Sequence, residues 1–194
     1  MFGEEKNLII TKLGVDGYPL LAKLDSKHDK IVWLSSSSYI PSEILKAYSY
    51  NGNAELFSFY SQFDWGINLL NLNEVSMAIS RSGGGERSCV IISCISELIM
   101  YYGVSKVYHF ILNVIRNTGK FISMMIDGAQ NKKDELLIST LFDAVFRLKK
   151  RLAGDDWEIL LIPEVCIQNK MYRLRYDKGV VELEQILIKS LMPA

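Results

Sequence analysis

The chain has 194 residues, 49% of them hydrophobic, which is enough to bury one sizeable core, so a single domain over 1–194 is expected. Its 22 Lys and Arg balance 22 Asp and Glu, which argues against a protein that holds nucleic acid over a broad basic surface. The three cysteines, Cys89, Cys94 and Cys166, are an odd set with two inside an apolar run, which favours free thiols in a reducing compartment over a disulfide framework.

The acidic start over 1–5 lacks the basic region of a signal peptide, and no apolar run reaches the roughly 18 residues of a membrane span. A soluble, cytoplasmic protein with no membrane partner is the expectation. A mean hydropathy of +0.12, with many aromatics and methionines, suggests apolar surface that another subunit covers.

Residues 7–11 read as a buried strand. A loop with Gly14 and Gly17 follows, and Pro19-Leu20-Leu21-Ala22 opens a helix. Residues 31–34 read as a second buried strand that runs into Ser35, Ser36, Ser37 and Ser38. Pro41, Ser42 and Glu43 mark a helix start, and 54–60 a short third strand. Apolar residues at helical spacing predict an amphipathic helix over 65–79, broken by Gly83-Gly84-Gly85.

The continuous apolar run 89–94 reads as the centre of a parallel sheet. A helix over 105–117 is closed by Gly119, and 121–126 form the next strand. Asp134 opens a short helix, 141–148 read as strand, and 158–162 and 171–176 as a late antiparallel pair. A helix over 181–192 is expected to end the chain. Strands alternating with helices, followed by a run of strands, argue a mainly parallel α/β sheet with an antiparallel edge.

This order of elements resembles the RecA-like ATPase core, and within it the KaiC-like branch. Residues 7–22 resemble that family's first strand, phosphate loop and helix start. Residues 31–35 resemble its second strand, 90–94 the strand that carries the Mg²⁺-linked acid, and 118–126 the turn and strand that sense the γ-phosphate. Leu141-Phe142-Asp143-Ala144-Val145-Phe146-Arg147-Leu148 is similar to the family's next strand, and 172–179 to its closing strand, whose basic residues reach a neighbouring subunit's site. The resemblance implies a three-layer sheet with helices on both faces.

The departures fall on the chemistry. A phosphate loop needs a Lys for the phosphates and a Ser or Thr for Mg²⁺ after its last glycine, and those places hold Tyr18 and Pro19. Ser93 stands where the acid of the Mg²⁺ strand would be, and no Glu follows the second strand. Phosphoryl transfer rests on positioning and charge neutralisation by those groups. A RecA-like fold stripped of them is the pattern of assembly subunits, such as those of Elongator and the accessory paralogues of recombinases.

Lys12, Gly14 and Gly17 are either a remnant phosphate loop or an ordinary strand-to-helix turn. Cys94 reads as a buried core thiol, since no neighbouring cation would lower its pKa. His28, His109 and the scattered cysteines have no metal-ligand spacing, and no nucleophile motif is present, so no metal and no catalytic residue are assigned. Lys149, Lys150 and Arg151 read as a solvated strand end.

Arg173 and Arg175 alternate to one face of their strand, where they form either a basic edge for an acidic or nucleic-acid partner or a set of salt bridges. The aromatic stretch that includes Tyr39, Tyr48, Tyr50, Phe57, Phe59, Tyr60, Phe63 and Trp65 suggests an assembly surface. The expected function is a non-catalytic scaffold or accessory protein, a homo-oligomer or a hetero-oligomer with RecA-like paralogues, with no cofactor. An ATP-binding or weakly hydrolysing domain that uses Lys12 is the first alternative, and a single-stranded nucleic-acid-binding accessory subunit the second.

Overall fold

The structure is a computed structural model and describes residues 5–12, 17–25, 28–37, 39–58, 71–85, 87–153, 156–166, 170–177 and 180–186. Within them the chain runs β1 (Lys6–Thr11), α1 (Gly17–Asp25), β2 (Lys30–Ser35), α2 (Tyr39–Ala47), β3 (Asn53–Ser58), α3 (Leu72–Gly83), β4 (Ser88–Ile92), α4 (Ile95–Tyr102), α5 (Val104–Arg116), β5 (Lys120–Ile126), α6 (Lys132–Ser139), β6 (Ala144–Ala153), β7 (Asp156–Val165), β8 (Met171–Asp177) and β9 (Val180–Ile186).

The strands form one sheet in the order β3-β2-β4-β5-β1-β6-β7-β8-β9. Pairing is parallel from β3 to β6 and antiparallel from β6 to β9. The apolar runs of β1, β2, β4 and β5 follow from this arrangement, because a parallel strand is covered on both faces. On one face, α1 and α2 pack Leu20, Leu21 and Leu45 against Ile9, Ile31, Trp33, Ile91 and Ile122. On the other, α3 to α6 pack against Leu8, Ile10, Val32, Leu34, Val90 and Phe121. In α5 the buried set Val107, Phe110, Ile111, Val114 and Ile115 has the three-and-four spacing of one helical stripe.

Two elements differ from the sequence expectation. Residues 180–186 pair as strand β9 where a helix is expected over 181–192, and the rest of that span lies outside the described residues. The helix-forming residues of this segment are overridden by cross-strand partners. Val181 is fully buried, its backbone N–H donates to the Tyr48 hydroxyl (2.8 Å), and that hydroxyl donates to the Pro19 carbonyl (2.7 Å). This staple packs β9 against α1, so the antiparallel end of the sheet curls around that helix. The second difference is α4, an apolar helix directly after β4 that has no counterpart in the expected elements.

Gly83 belongs to the last turn of α3 instead of breaking the helix before it. A Cβ there would stand 2.5 Å from Val90 Cγ2 in the central strand. The helix lies this close to the sheet because residue 83 has no side chain. Gly83→Ala is therefore expected to cost about 1–2 kcal/mol, because overpacking against a stiff β-branched neighbour outweighs the gain in helix propensity. Urea unfolding followed by circular dichroism measures it, and a stabilised variant would contradict the close approach.

Candidate functional site

In open α/β sheets, ligands bind outside the carboxyl ends of the strands where adjacent connections leave to opposite faces. Three neighbouring pairs meet that condition here. The chain leaves β1 for α1 and β2 for α2 on one face, whereas β3 leads to α3, β4 to α4 and β5 to α6 on the other. Of the three junctions, β1–β5 and β2–β4 lie inside the sheet, away from its β3 edge, and are the candidate crevices.

At the β2–β4 junction the corner is filled from within the protein. Trp33, fully buried on β2, donates from Nε1 to the Ser93 hydroxyl just past β4 (3.0 Å). Tyr18, in the first turn of α1, stacks on Trp33 with ring centroids 6.4 Å apart and 19° between planes. Its phenol lies close to the Ser93 hydroxyl. Burial, and then the nearby Glu97 carboxylate, push the Tyr18 phenol above its usual pKa, so it stays neutral. Glu97 accepts from the Ser36 hydroxyl through Oε1 (2.9 Å), while its Oε2 is buried with no partner among the described residues.

Cys94 is fully buried, and burial followed by the Glu97 charge push its thiol pKa well up. It is a protonated core thiol, as the sequence suggested.

At the β1–β5 junction the structure opens a cavity of about 490 Å³ lined by Thr11, Lys12, Asp127, Leu148, Lys149, Lys150 and Ile159. Lys12, exposed after β1, is thereby brought together with Lys149 and Lys150 of β6. No local pattern joins these residues, since only the register shows that β6 continues past the end of β1. Gly17 opens α1 and is buried, and a Cβ on it would collide with the Met124 sulfur. Gly14 lies outside the described residues.

Below this cavity sits a buried ion cluster. Arg147 on β6 donates to Glu135 Oε1 of α6 (2.8 Å), to Glu164 of β7 through Nε (2.5 Å) and Nη2 (3.1 Å), and to Asp127 after β5. Lys132 also pairs with Glu135. Burial opposes ionisation of Glu135, but Lys132 and Arg147 outweigh it and hold that carboxyl below its ordinary range. The Asp127 backbone N–H donates to the Thr11 carbonyl (2.7 Å), so the cluster also fixes the ends of β5 and β1 to each other.

The other sequence-predicted residues are dispersed. Arg173 pairs with Glu158 and Glu184, and Arg175 with Glu184 (2.9 Å), in a cross-strand ladder on β7, β8 and β9. This matches the salt-bridge reading of that strand, and β9, not β8, forms the sheet edge. Of the aromatic stretch, Phe57 is core and Tyr48 and Tyr50 donate their hydroxyls to the carbonyls of Pro19 and His28. Tyr39, 71% exposed at the start of α2, is the one that stands free on the surface among those described. Phe59, Tyr60, Phe63 and Trp65 lie outside the described residues.

No helix among the described residues is long and apolar enough to cross a membrane, and they contain no group of three or more His, Cys, Asp or Glu placed to hold a metal ion. No protein-family model matches the sequence, and no curated protein matches it. Solved structures match it over nearly its whole length. The flagellar accessory protein FlaH from Methanocaldococcus jannaschii is 15% identical with a TM-score of 0.72, over 94% of this chain and 91% of that one. A KaiC-like protein from the archaeon Pyrococcus horikoshii is 10% identical with a TM-score of 0.70, over the same shares of the two chains, 94% and 91%. An uncharacterized Pyrococcus horikoshii protein, solved in complex with an unknown peptide, is 8% identical with a TM-score of 0.61, over 95% and 94%. With its mainly parallel sheet, antiparallel edge and helices on both faces, this chain has the RecA-like fold in its KaiC-like form.

Proposed function

We propose that this protein is a non-hydrolysing RecA-like scaffold or accessory subunit of the cytoplasm, acting through assembly with copies of itself or with RecA-like paralogues. One observation carries this reading. The corner between α1, β2 and β4 is filled by Tyr18, stacked on Trp33, which in turn donates to Ser93. Tyr18 and Pro19 stand where a phosphate-binding Lys and a Mg²⁺-binding Ser or Thr would follow the loop, and catalysis of phosphoryl transfer depends on such groups. The likeness to a protein described as a flagellar accessory protein fits a role of this kind.

The test is thermal unfolding with and without millimolar Mg-ATP and Mg-ADP, together with light scattering. The expected result is an unchanged melting temperature, no phosphate release and an oligomer that persists on dilution. Nucleotide at a hundred times its Kd would add about 2.7 kcal/mol, a rise of roughly 5–10 °C for a chain of this size. That rise would overturn the proposal.

A second reading has one observation in its favour. Lys12, Lys149 and Lys150 line a single cavity at the end of β1, which an anion could enter. Loss of an ATP-induced rise on Lys12→Ala would establish it.

A further inference from the structure

Helices α3 and α5 pack side by side on one face of the sheet, joined by a shared apolar seam. Val75 and Ile79 of α3 and Phe110 and Val114 of α5 are buried in the same cluster. Above this seam the two helices border two cavities, of about 450 Å³ and about 390 Å³. Asn73 and Asn113, one from each helix, line both, so the cavities meet between these two amides. Lys106 and His109 line the first cavity, and Met77 and Arg81 line the second. The result is one groove with cations towards each end. At about 1.5 Å per helical residue, Lys106 stands about 10 Å before Asn113, and Arg81 about 12 Å beyond Asn73. The groove is therefore about 20 Å long, the reach of about six extended residues.

This groove is basic although the chain as a whole is neutral. No Asp or Glu occurs among its described lining residues. Helix α5 carries Lys106, His109 and Arg116 and no acid along its length. The acid of α3, Glu74, accepts from the Asn71 amide (2.9 Å) and does not line either cavity. Elsewhere, Lys46 and Lys132 each pair with an acid three residues away along the helix. Arg81 and Lys106 have no acid three or four residues away in either direction, and no ion pair among the described residues. The exposed carboxamides of Asn73 and Asn113 are likewise without a hydrogen-bond partner among the described residues. Each offers a donor and an acceptor side by side, which matches the C=O and N–H of an extended main chain.

We propose that the α3–α5 groove binds an extended segment of a partner protein with acidic residues at both ends and an apolar residue between. Asn73 and Asn113 hold its main chain. Lys106 with His109 takes carboxylates at one end, and Arg81 takes them at the other, through charge-assisted hydrogen bonds. Met77, 54% exposed between Asn73 and Arg81, receives the apolar side chain. The buried seam fixes both walls in advance, so binding has only the peptide and a few side chains to order. Single-stranded nucleic acid fits this groove less well, because it binds by stacking its bases on open aromatic faces. The Phe and Tyr of the lining do not offer one, since Phe110 is buried and Tyr102 half-buried. A merely solvated helix face also carries Asn and Lys. It has no cause to set amides opposite each other between cations with every acid kept out. The inference goes beyond the scaffold reading and does not depend on the absence of nucleotide binding.

The probe is an acetylated, amidated hexapeptide with a pair of glutamates at each end around alanine and leucine, which serves either chain direction. It is titrated into the isotopically labelled full chain and followed by NMR. The expected result is a saturable shift of the side-chain amide resonances of Asn73 and Asn113, with the Met77 methyl shifting in step. Lys106→Gln and Arg81→Gln, both surface changes, should each weaken binding about tenfold, the scale of one lost charge-assisted contact, with the spectrum of the strands unaltered. Asn113→Ala should weaken it as well. N-methylation of the central peptide nitrogens should abolish the effect, and so should replacing the glutamates with glutamine. No saturable shift at millimolar peptide, or binding indifferent to N-methylation or to the Lys106 and Arg81 variants, would overturn the proposal. So would an oligouridylate that shifts the same two side-chain amides at lower concentration, which is the behaviour of a nucleic-acid groove. A nucleotide-induced rise in melting temperature would refute the scaffold reading and leave the Asn73 and Asn113 shifts standing, so the two failures are distinguishable.

Discussion

Arg147→Met is expected to lower the free energy of unfolding by about 3–5 kcal/mol, the cost of removing one partner from a buried charge cluster and stranding the rest. The Arg147 side chain is 9% exposed and Glu135 is 8%, so neither can turn to water. With Arg147 gone, Asp127, Glu135 and Glu164 face one another with Lys132 as the cation left to them. Guanidinium denaturation at pH 7 measures the loss. Its pH dependence gives a second check.

In the native chain the Glu135 carboxyl is held below its ordinary range, so the unfolded state binds more protons than the native one. This contribution is complete above the unfolded carboxyl pKa near 4.3 and is lost as pH falls through the lower folded value. In Arg147→Met the crowded carboxylates take up protons more readily when folded, so the gap between variant and native chain should narrow on acidification from pH 7 towards 5. A variant within about 1 kcal/mol of the native chain, with a constant gap across that range, would show that the cluster is not holding the strand ends together.

The fold was legible in the sequence wherever a strand is covered on both faces. The runs Leu8-Ile9-Ile10, Ile31-Val32-Trp33-Leu34 and Cys89-Val90-Ile91-Ile92 are continuous because both sides of each meet helices. The helix α4 was not legible, because Ile95-Ser96-Glu97-Leu98-Ile99-Met100-Tyr101-Tyr102 extends the apolar run of β4 with no break in composition. The last strand was misread for the opposite reason. Its Glu, Leu and Gln residues favour a helix locally, and the ladder with β8, the burial of Val181 and the pairing of Glu184 with Arg173 and Arg175 reverse that preference.

The candidate site was legible in one half. Tyr18 and Pro19 announce the altered loop, but the partners of Tyr18 are Trp33 and Ser93, which only the sheet order brings alongside. Arg147 left a signal that could have been used. A charged residue inside Ala144-Val145-Phe146-Arg147-Leu148 must find paired charges if the strand is central, and an acid-bearing neighbour could have been sought. Lys149 and Lys150 left no such signal, since any strand end can carry lysines. Their meaning comes from β1 stopping short, a fact of register that no local pattern records.

Trp33→Ala is expected to destabilise the protein by about 3–5 kcal/mol, the range for removing a fully buried large aromatic side chain. The position has little capacity to collapse, because Trp33 is held between α1 on one side and the paired strands β3 and β4 on the others. Trp33→Phe separates packing from hydrogen bonding. The ring volume mostly remains, and the lost contact is the Nε1–H donation to Ser93, worth about 1 kcal/mol.

Ser93 keeps its donation to the Leu34 carbonyl (3.4 Å), so no buried group is left without a partner. The Phe variant should therefore fold, with Tyr18 resting on a smaller platform. As the phenol gains water, its raised pKa should fall back towards the ordinary value, because burial is the largest cause of the elevation. An NMR titration of ring-labelled tyrosine reads this directly at residue 18. A Trp33→Ala loss below about 2 kcal/mol, or a Tyr18 titration identical in native and Phe chains, would mean that Trp33 does not hold the tyrosine in the corner where the proposed function requires it to stay.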